Sequence, residues 1–287
     1  MRSDGDCWGI TESVGATALG VAAARAAETR RPEGLVRDPY AEDFVLAAGP
    51  GARMPVVRAF DDETGMSSTY IGVRSRFFDQ FCAASAGGVT QTVILAAGLD
   101  TRALRLLWPT GSTVFEVDQA AVLAFKDRVL AGRHGDGARR VLVSVDLRED
   151  WPEALLAAGF EPSHPSAWLV EGLLPYPPAS AEADLFDRID ALASTGSRIA
   201  VEQVDAGLLV ERSEELSALL GIDLAELMYL DRRPDPADRL RRRGWSVSCT
   251  AATDFAKAHQ RDLDTAQFGG IATFVEATKP TALGMTG

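Results

Sequence analysis

Apolar residues follow two different rhythms along this chain. Over roughly the first ninety residues they recur at helical spacing. Residues 11 to 30, TESVGATALGVAAARAAETR, predict a small-residue helix opened by Thr11 or Ser13, broken afterwards by Pro32 and Gly34. Asp38 followed by Pro39 predicts a new helix start, an N-cap with proline at the first helical position. Residues 50 to 68, with Pro50, Gly51, Pro55 and Gly65, predict an irregular connection. From Thr69, TYIGVRSRFFDQFCAAS is helical by the spacing of Ile71, Phe77, Phe78 and Phe81.

Beyond that point short apolar runs take over: QTVILAA (91–97), STVFEVD (112–118), RRVLVSVD (139–146), SAWLVEG (166–172) and SRIAVEQV (197–204). Each is rich in Val or Ile and separated from the next by a segment able to form a helix or turn. Near-continuous apolar strands alternating with helices imply a parallel sheet covered on both faces. WSVSCTAA (245–252) and GGIATFVEAT (269–278) have a shorter link and predict a terminal antiparallel pair, a final hairpin. The outline is a helical N-terminal cap over residues 1–89 and an α/β core over 90–287, within one structural domain overall. No internal repeat or low-complexity linker interrupts it.

Charge removes some functions. With 41 acidic against 29 basic residues the net charge is −12, which argues against nucleic acid or an anionic membrane as the main partner. No apolar stretch approaches the roughly 20 residues needed to span a bilayer, and MRSDGDCWGI lacks the apolar core of a signal peptide. Cys7, Cys82 and Cys249 are few and far apart, so reduced thiols and a cytoplasmic protein are expected. His134, His164 and His259 lack metal-ligand spacing, and no metal is expected. Arg239, Arg241, Arg242 and Arg243 before Gly244 read as a helix C-terminus with its glycine cap.

Chemistry concentrates at strand ends, where open parallel sheets bind ligands. They carry Asp100 just after the first strand, Glu116 and Asp118 in the second, Asp146 closing the third and Glu171 closing the fourth. Asp118, 20 residues beyond Gly98, is placed to accept hydrogen bonds from both ribose hydroxyls of an adenosine. That feature is shared by nicotinamide-dependent oxidoreductases and S-adenosylmethionine-dependent methyltransferases. The turn separates them. Ala96-Ala97-Gly98-Leu99-Asp100 has one glycine and an acid, a poor cradle for a pyrophosphate. The acidic rim suits a cofactor with a sulfonium and an ammonium instead, so the methyltransferase reading is preferred. Asp146 can then accept from the adenine amine while Leu147 packs on the ring. Arg25, Arg74, Arg76 and Arg102 are the cations available for a methionine carboxylate.

VILAAGLDTRALRLLWP, STVFEVDQAAVLAFKDRVL, VLVSVDLREDWPEAL and AWLVEGLLPYPP together resemble the leucine carboxyl methyltransferase family, and most closely its bacterial branch of S-adenosylmethionine-dependent methyltransferases. SVGATALGVAAARA, RDPYAEDFV, YIGVRSRFFD and GGIATFVEA extend the resemblance over nearly the whole chain. It implies a class I methyltransferase fold, Rossmann-like and doubly wound, with seven strands of which six are parallel. It also implies S-adenosyl-L-methionine as cofactor. The matching contacts are Arg74 on the cofactor carboxylate, Ala96 and Gly98 in the turn, Asp118 with Gln119 at the E-V-D-Q strand end, Asp146 and Leu147 at the adenine, and Glu171 beside the cofactor. Arg25 is placed as a second carboxylate partner. Two departures stand out. Ala96 replaces the first glycine of the family's turn, adding a methyl that could crowd the cofactor, and Pro175 and Pro177 stiffen a loop bordering the acceptor site.

The activity expected is O-methylation of a small-molecule or peptide acceptor. A carboxylate acceptor is ionised at neutral pH and needs no general base; a hydroxyl acceptor does, with Glu171, Tyr176 or His164 as the places for one. The alternatives are a non-catalytic protein that binds the cofactor and an NAD(P)-dependent oxidoreductase. Asp4, Asp6 and Trp8 are read as part of an N-terminal lid that orders on binding.

Overall fold

The apolar runs form the strands of one seven-stranded sheet. They are β1 (Gln91–Leu95), β2 (Ser112–Asp118), β3 (Ala138–Ser144), β4 (Ser166–Val170), β5 (Arg198–Val204), β6 (Ser246–Ala251) and β7 (Ala272–Thr278). Their order is β3-β2-β1-β4-β5-β7-β6. Pairing is parallel from β3 through β5, and β7 runs antiparallel between β5 and β6. The computed structural model describes residues 13–49, 66–220, 223–229, 231, 233–263 and 270–280. Thr11, the N-terminal residues read as a lid, and most of the connection at 50–68 lie outside them.

Burial follows position in the sheet. All five residues of β1 and of β4 are buried, as strands covered on both faces require. The edge strands β3 and β6 alternate with exposed positions. Within β1, Ile94 packs with one core cluster and Val93 and Leu95 with the other, so the period-two alternation feeds both faces.

The first face is covered by the N-terminal helices α1 (Ser13–Arg30) and α3 (Met66–Ser85), with α2 (Ala41–Ala47) between them in sequence. Phe77, Phe78 and Phe81 of α3 are buried, and Phe77 stacks on Phe274 of β7 at a centroid distance of 4.5 Å. Each such ring contributes about 1.5–3 kcal/mol by leaving water. This anchor fixes the N-terminal half of α3, with Tyr70 and Arg74, above the sheet's carboxyl edge.

Three local expectations are revised. Helix α3 starts at Met66, three residues before Thr69. Helix α2 starts at Ala41 after Tyr40; Asp38 Oδ1 still accepts the Tyr40 amide at 3.1 Å, while Oδ2 is bonded to Arg25 and Thr101. The terminal pair is antiparallel as expected, but its link carries a helix, Ala252–Ala258, so it is no tight hairpin. The arginine run does end a helix, Pro236–Arg242, with Gly244 at φ +83°.

Candidate active site

Strand order reverses between β1 and β4, and there the outgoing chains diverge. A cleft of about 710 Å³ opens at that point. All nine residues expected to touch a cofactor line it, as does Tyr176. Of the sheet-edge acids, Asp100, Asp118, Asp146 and Glu171 are present.

The turn after β1 is built around Asp118. Gly98 N donates to Asp118 Oδ2 at 2.6 Å and Gln119 N to Asp118 Oδ1 at 2.7 Å. Gly98 has φ +48°, which glycine adopts without penalty. Ala96 has φ +51°, a left-handed conformation for a residue with a Cβ. The cost of the alanine therefore includes the backbone as well as any crowding. Burial pushes the Asp118 carboxyl up, and the two amide donors offset only part of that. Gln119 Nε2 donates to Asp146 Oδ2 at 2.8 Å, joining the tips of β2 and β3. Partial burial would raise Asp146, but hydrogen bonds from Arg148 prevail and hold it below its ordinary value.

On the β4 side the charges interlock. Arg74 Nε donates to Glu171 Oε1 at 2.8 Å and Arg102 Nη1 to Glu171 Oε2 at 2.7 Å. Both carboxylate oxygens of Glu171 are thus engaged by guanidinium groups. Arg102 also pairs with Asp100 and with Asp79, the latter at 2.8 Å. Desolvation would raise Asp100, but Arg102 and its neighbours hold it down to about 2. The charge attributed to Asp100 in the turn is therefore compensated locally, and its repulsion of a phosphate is weaker than the sequence suggests.

Arg25 lines the cleft, yet Nε is bonded to Asp38 Oδ2 at 2.8 Å and Nη2 to the Leu99 carbonyl at 2.6 Å. It ties α1 to the turn, and among the described residues its other terminal nitrogen makes no hydrogen bond. Tyr176 Oη lies 3.4 Å from Thr17 Oγ1 of α1.

Three other sequence candidates stand elsewhere. Glu116 is on the same face of β2 as Asp118 but one repeat deeper, roughly 6.6 Å along the strand. There it is wholly buried with Lys126 and Arg140, both at 2.9 Å. Arg76 is exposed on α3. His164 is exposed before β4, at the opposite edge of the sheet, and pairs with Glu161.

Sequence reading missed Glu202. It is buried on β5 and receives hydrogen bonds from Arg74, Gly172 N and Tyr70 Oη. An acid inside the apolar run SRIAVEQV, one strand further along the series of strand-end acids, was the available signal. A second cavity of about 480 Å³ lies beyond β5, lined in part by Pro175, Glu182 and Arg233, and it shares Tyr229 with the main cleft.

The model of the leucine carboxyl methyltransferase family matches residues 18–190. A protein of Rhodococcus jostii strain RHA1, named as a candidate S-adenosyl-L-methionine-dependent methyltransferase, is 50% identical over 273 residues, covering 91% of this chain and 92% of its own. A Mycobacteroides abscessus protein of the same description is 48% identical over 278 residues, covering 88% and 91%. Among solved structures, a candidate methyltransferase of Thermobifida fusca superposes with a TM-score of 0.58 at 17% identity, covering 83% of this chain and 94% of its own. A DUF574 family protein of Streptomyces avermitilis gives 0.57 at 15% identity, covering 83% and 96%. At such identities these two structures speak to the fold, a class I methyltransferase sheet, which this chain shares.

Proposed function

The chain belongs to the leucine carboxyl methyltransferase family and is an S-adenosylmethionine-dependent methyltransferase, and we propose that it methylates oxygen, a carboxylate or hydroxyl of a small molecule or peptide. Membership removes the oxidoreductase alternative.

The residues in the cleft suit the cofactor. Asp118 accepts one backbone amide on each oxygen and keeps lone pairs for two vicinal hydroxyls. Leu147 offers an apolar surface for a base, and Asp146 an acceptor for its amine. Arg74 would hold the carboxylate, with Glu171 beside the cofactor. When bound, S-adenosylmethionine supplies a methyl on a positively charged sulfur, so transfer needs alignment more than acid or base.

The observation that carries the acceptor class is the state of Glu171. Its two oxygens are taken up by Arg74 and Arg102, and His164 is remote, so two of the three residues proposed as a base are unsuited to that task. A carboxylate acceptor needs none, and we favour it over a hydroxyl, for which Tyr176 is the remaining place. Pro177 borders the main cleft and Pro175 the second cavity, which supports the reading that the acceptor's body lies on that side. A cytoplasmic setting belongs to the same proposal.

Transfer of a labelled methyl from the cofactor into small-molecule and peptide extracts tests this. A methyl ester releases the label as methanol on mild base treatment. Label that survives base places the methyl on another atom and removes the carboxylate reading; label on nitrogen or sulfur removes O-methylation altogether.

A further inference from the structure

Arg74 has five N–H donors in a planar fork. Nε is bonded to Glu171 Oε1 at 2.8 Å, and Nη1 reaches Glu202 Oε2 at 3.2 Å and Oε1 at 3.3 Å. Among the described residues, Nη2 has no hydrogen-bond partner, although the side chain borders the cleft. Two donors on one nitrogen of a cleft-lining side chain are thus unused by the described residues.

Glu202 sets that arrangement. It is 4% exposed, on β5, and its carboxylate accepts from three residues on two separate pieces of chain. Tyr70 Oη, one helical turn before Arg74 on α3, donates to Oε1. Gly172 N, in the turn after β4, donates to Oε2 at 2.6 Å. Gly172 has φ +61°, and a Cβ there would sit 3.6–3.9 Å from the Arg74 guanidinium, so turn and guanidinium lie against each other. One buried carboxylate therefore fixes both the arginine and the wall it rests on.

We infer that Glu202 is a positioning residue for Arg74: it holds Nη1 so that Nη2 is presented to the carboxylate of the cofactor's methionine end. This rests on the reading that Arg74 meets that carboxylate. The physical reason lies in the competition for the fork. Glu171 is also a neighbour of Arg74, and carboxylate–guanidinium pairs favour two parallel hydrogen bonds. Without the charge of Glu202, the guanidinium is free to turn onto Glu171 and spend a terminal nitrogen there. Glu202 makes the single Nε contact to Glu171 the stable one.

The test is calorimetric titration of Glu202→Gln with two ligands, S-adenosylhomocysteine and 5′-methylthioadenosine. The second keeps the adenosine and sulfur but has no amino-acid end. Wild type binding S-adenosylhomocysteine establishes the cofactor reading independently; failure there overturns that reading and the inference with it. Given wild-type binding, Glu202→Gln weakens S-adenosylhomocysteine at least about tenfold, the scale of one disturbed charge-assisted hydrogen bond. It leaves methylthioadenosine within about twofold, since no part of that ligand reaches Arg74. Glu202→Asp, which keeps the charge, recovers part of the loss. Equal weakening of both ligands makes Glu202 a merely structural residue and overturns the inference, as does unchanged affinity for S-adenosylhomocysteine. Should Glu202→Gln fail to fold, Tyr70→Phe removes one donor to Glu202 and gives the same selective loss at smaller size; an equal loss for both ligands, or none, overturns the inference there too.

Discussion

The amide of Gly98 donates to Asp118 Oδ2 at 2.6 Å, tying the turn after β1 to the tip of β2 across 20 residues of chain. The same carboxylate accepts the amide of its neighbour Gln119 on its other oxygen. One wall of the cleft is therefore a carboxylate fixed by a backbone donor on each oxygen.

That carboxylate gives the cleft an acid limit. Burial raises Asp118 above its ordinary 3.8, with Gly98 and Gln119 opposing the rise. Ribose hydroxyls need the ionised form. Affinity for S-adenosylhomocysteine is thus constant near neutrality and declines as pH falls through the raised value, with proton release on binding rising from none toward one across that window. The stability sign is opposite: a folded value above the unfolded one means that the ligand-free protein is relieved of a buried charge as pH falls through the same window. Titrations in buffers of different ionisation enthalpy read the proton directly. Constant affinity down to the acid transition of the fold would contradict it.

Ala96→Gly stabilises the protein. At φ +51° the alanine bears a left-handed penalty of about 1–2 kcal/mol, against which glycine loses about 0.5–1 kcal/mol more chain entropy. The net gain is about 0.5–1 kcal/mol, read from denaturant midpoints at unchanged slope. A destabilised glycine variant would show that the alanine methyl packs productively.

Lys126→Met is strongly destabilising. Lys126 Nζ is fully buried and 2.9 Å from Glu116, whose other partner is Arg140 at 2.9 Å. Removing one member of a buried pair leaves charge poorly compensated, and about 3 kcal/mol is expected because Arg140 remains. Adding Glu116→Leu recovers much of the loss, since Arg140 keeps Asp127 at 3.1 Å. If the double variant is as unstable as the single, packing rather than charge governs this site.

The strands were legible because inner parallel strands are apolar on both faces, leaving runs such as VIL and AWLV with little ambiguity. Asp118 was legible because its role depends on a spacing within one β-α-β unit. Long-range choices were hidden. Glu202 meets Arg74 across 128 residues, and nothing local to SRIAVEQV tells that the acid turns inward. Glu116 was misplaced because alternation gives the face of a strand but not the depth along it. Asp-Pro is a local signal, and Asp38 Oδ1 does accept the Tyr40 amide; the bonds of Oδ2 to Arg25 and Thr101, from elsewhere in the chain, were hidden. The methyl of Ala96 is legible in the sequence; its left-handed backbone is a property of the folded turn.

The central claim is that the cleft between β1 and β4 binds S-adenosylmethionine through Asp118. Calorimetric titration with S-adenosylhomocysteine tests it most directly, with NAD as the comparison ligand and Asp118→Ala as the control. The account predicts roughly micromolar binding, about 8 kcal/mol, lost in Asp118→Ala and absent with NAD. No binding by the folded wild-type protein, or equal binding by the variant, would contradict it.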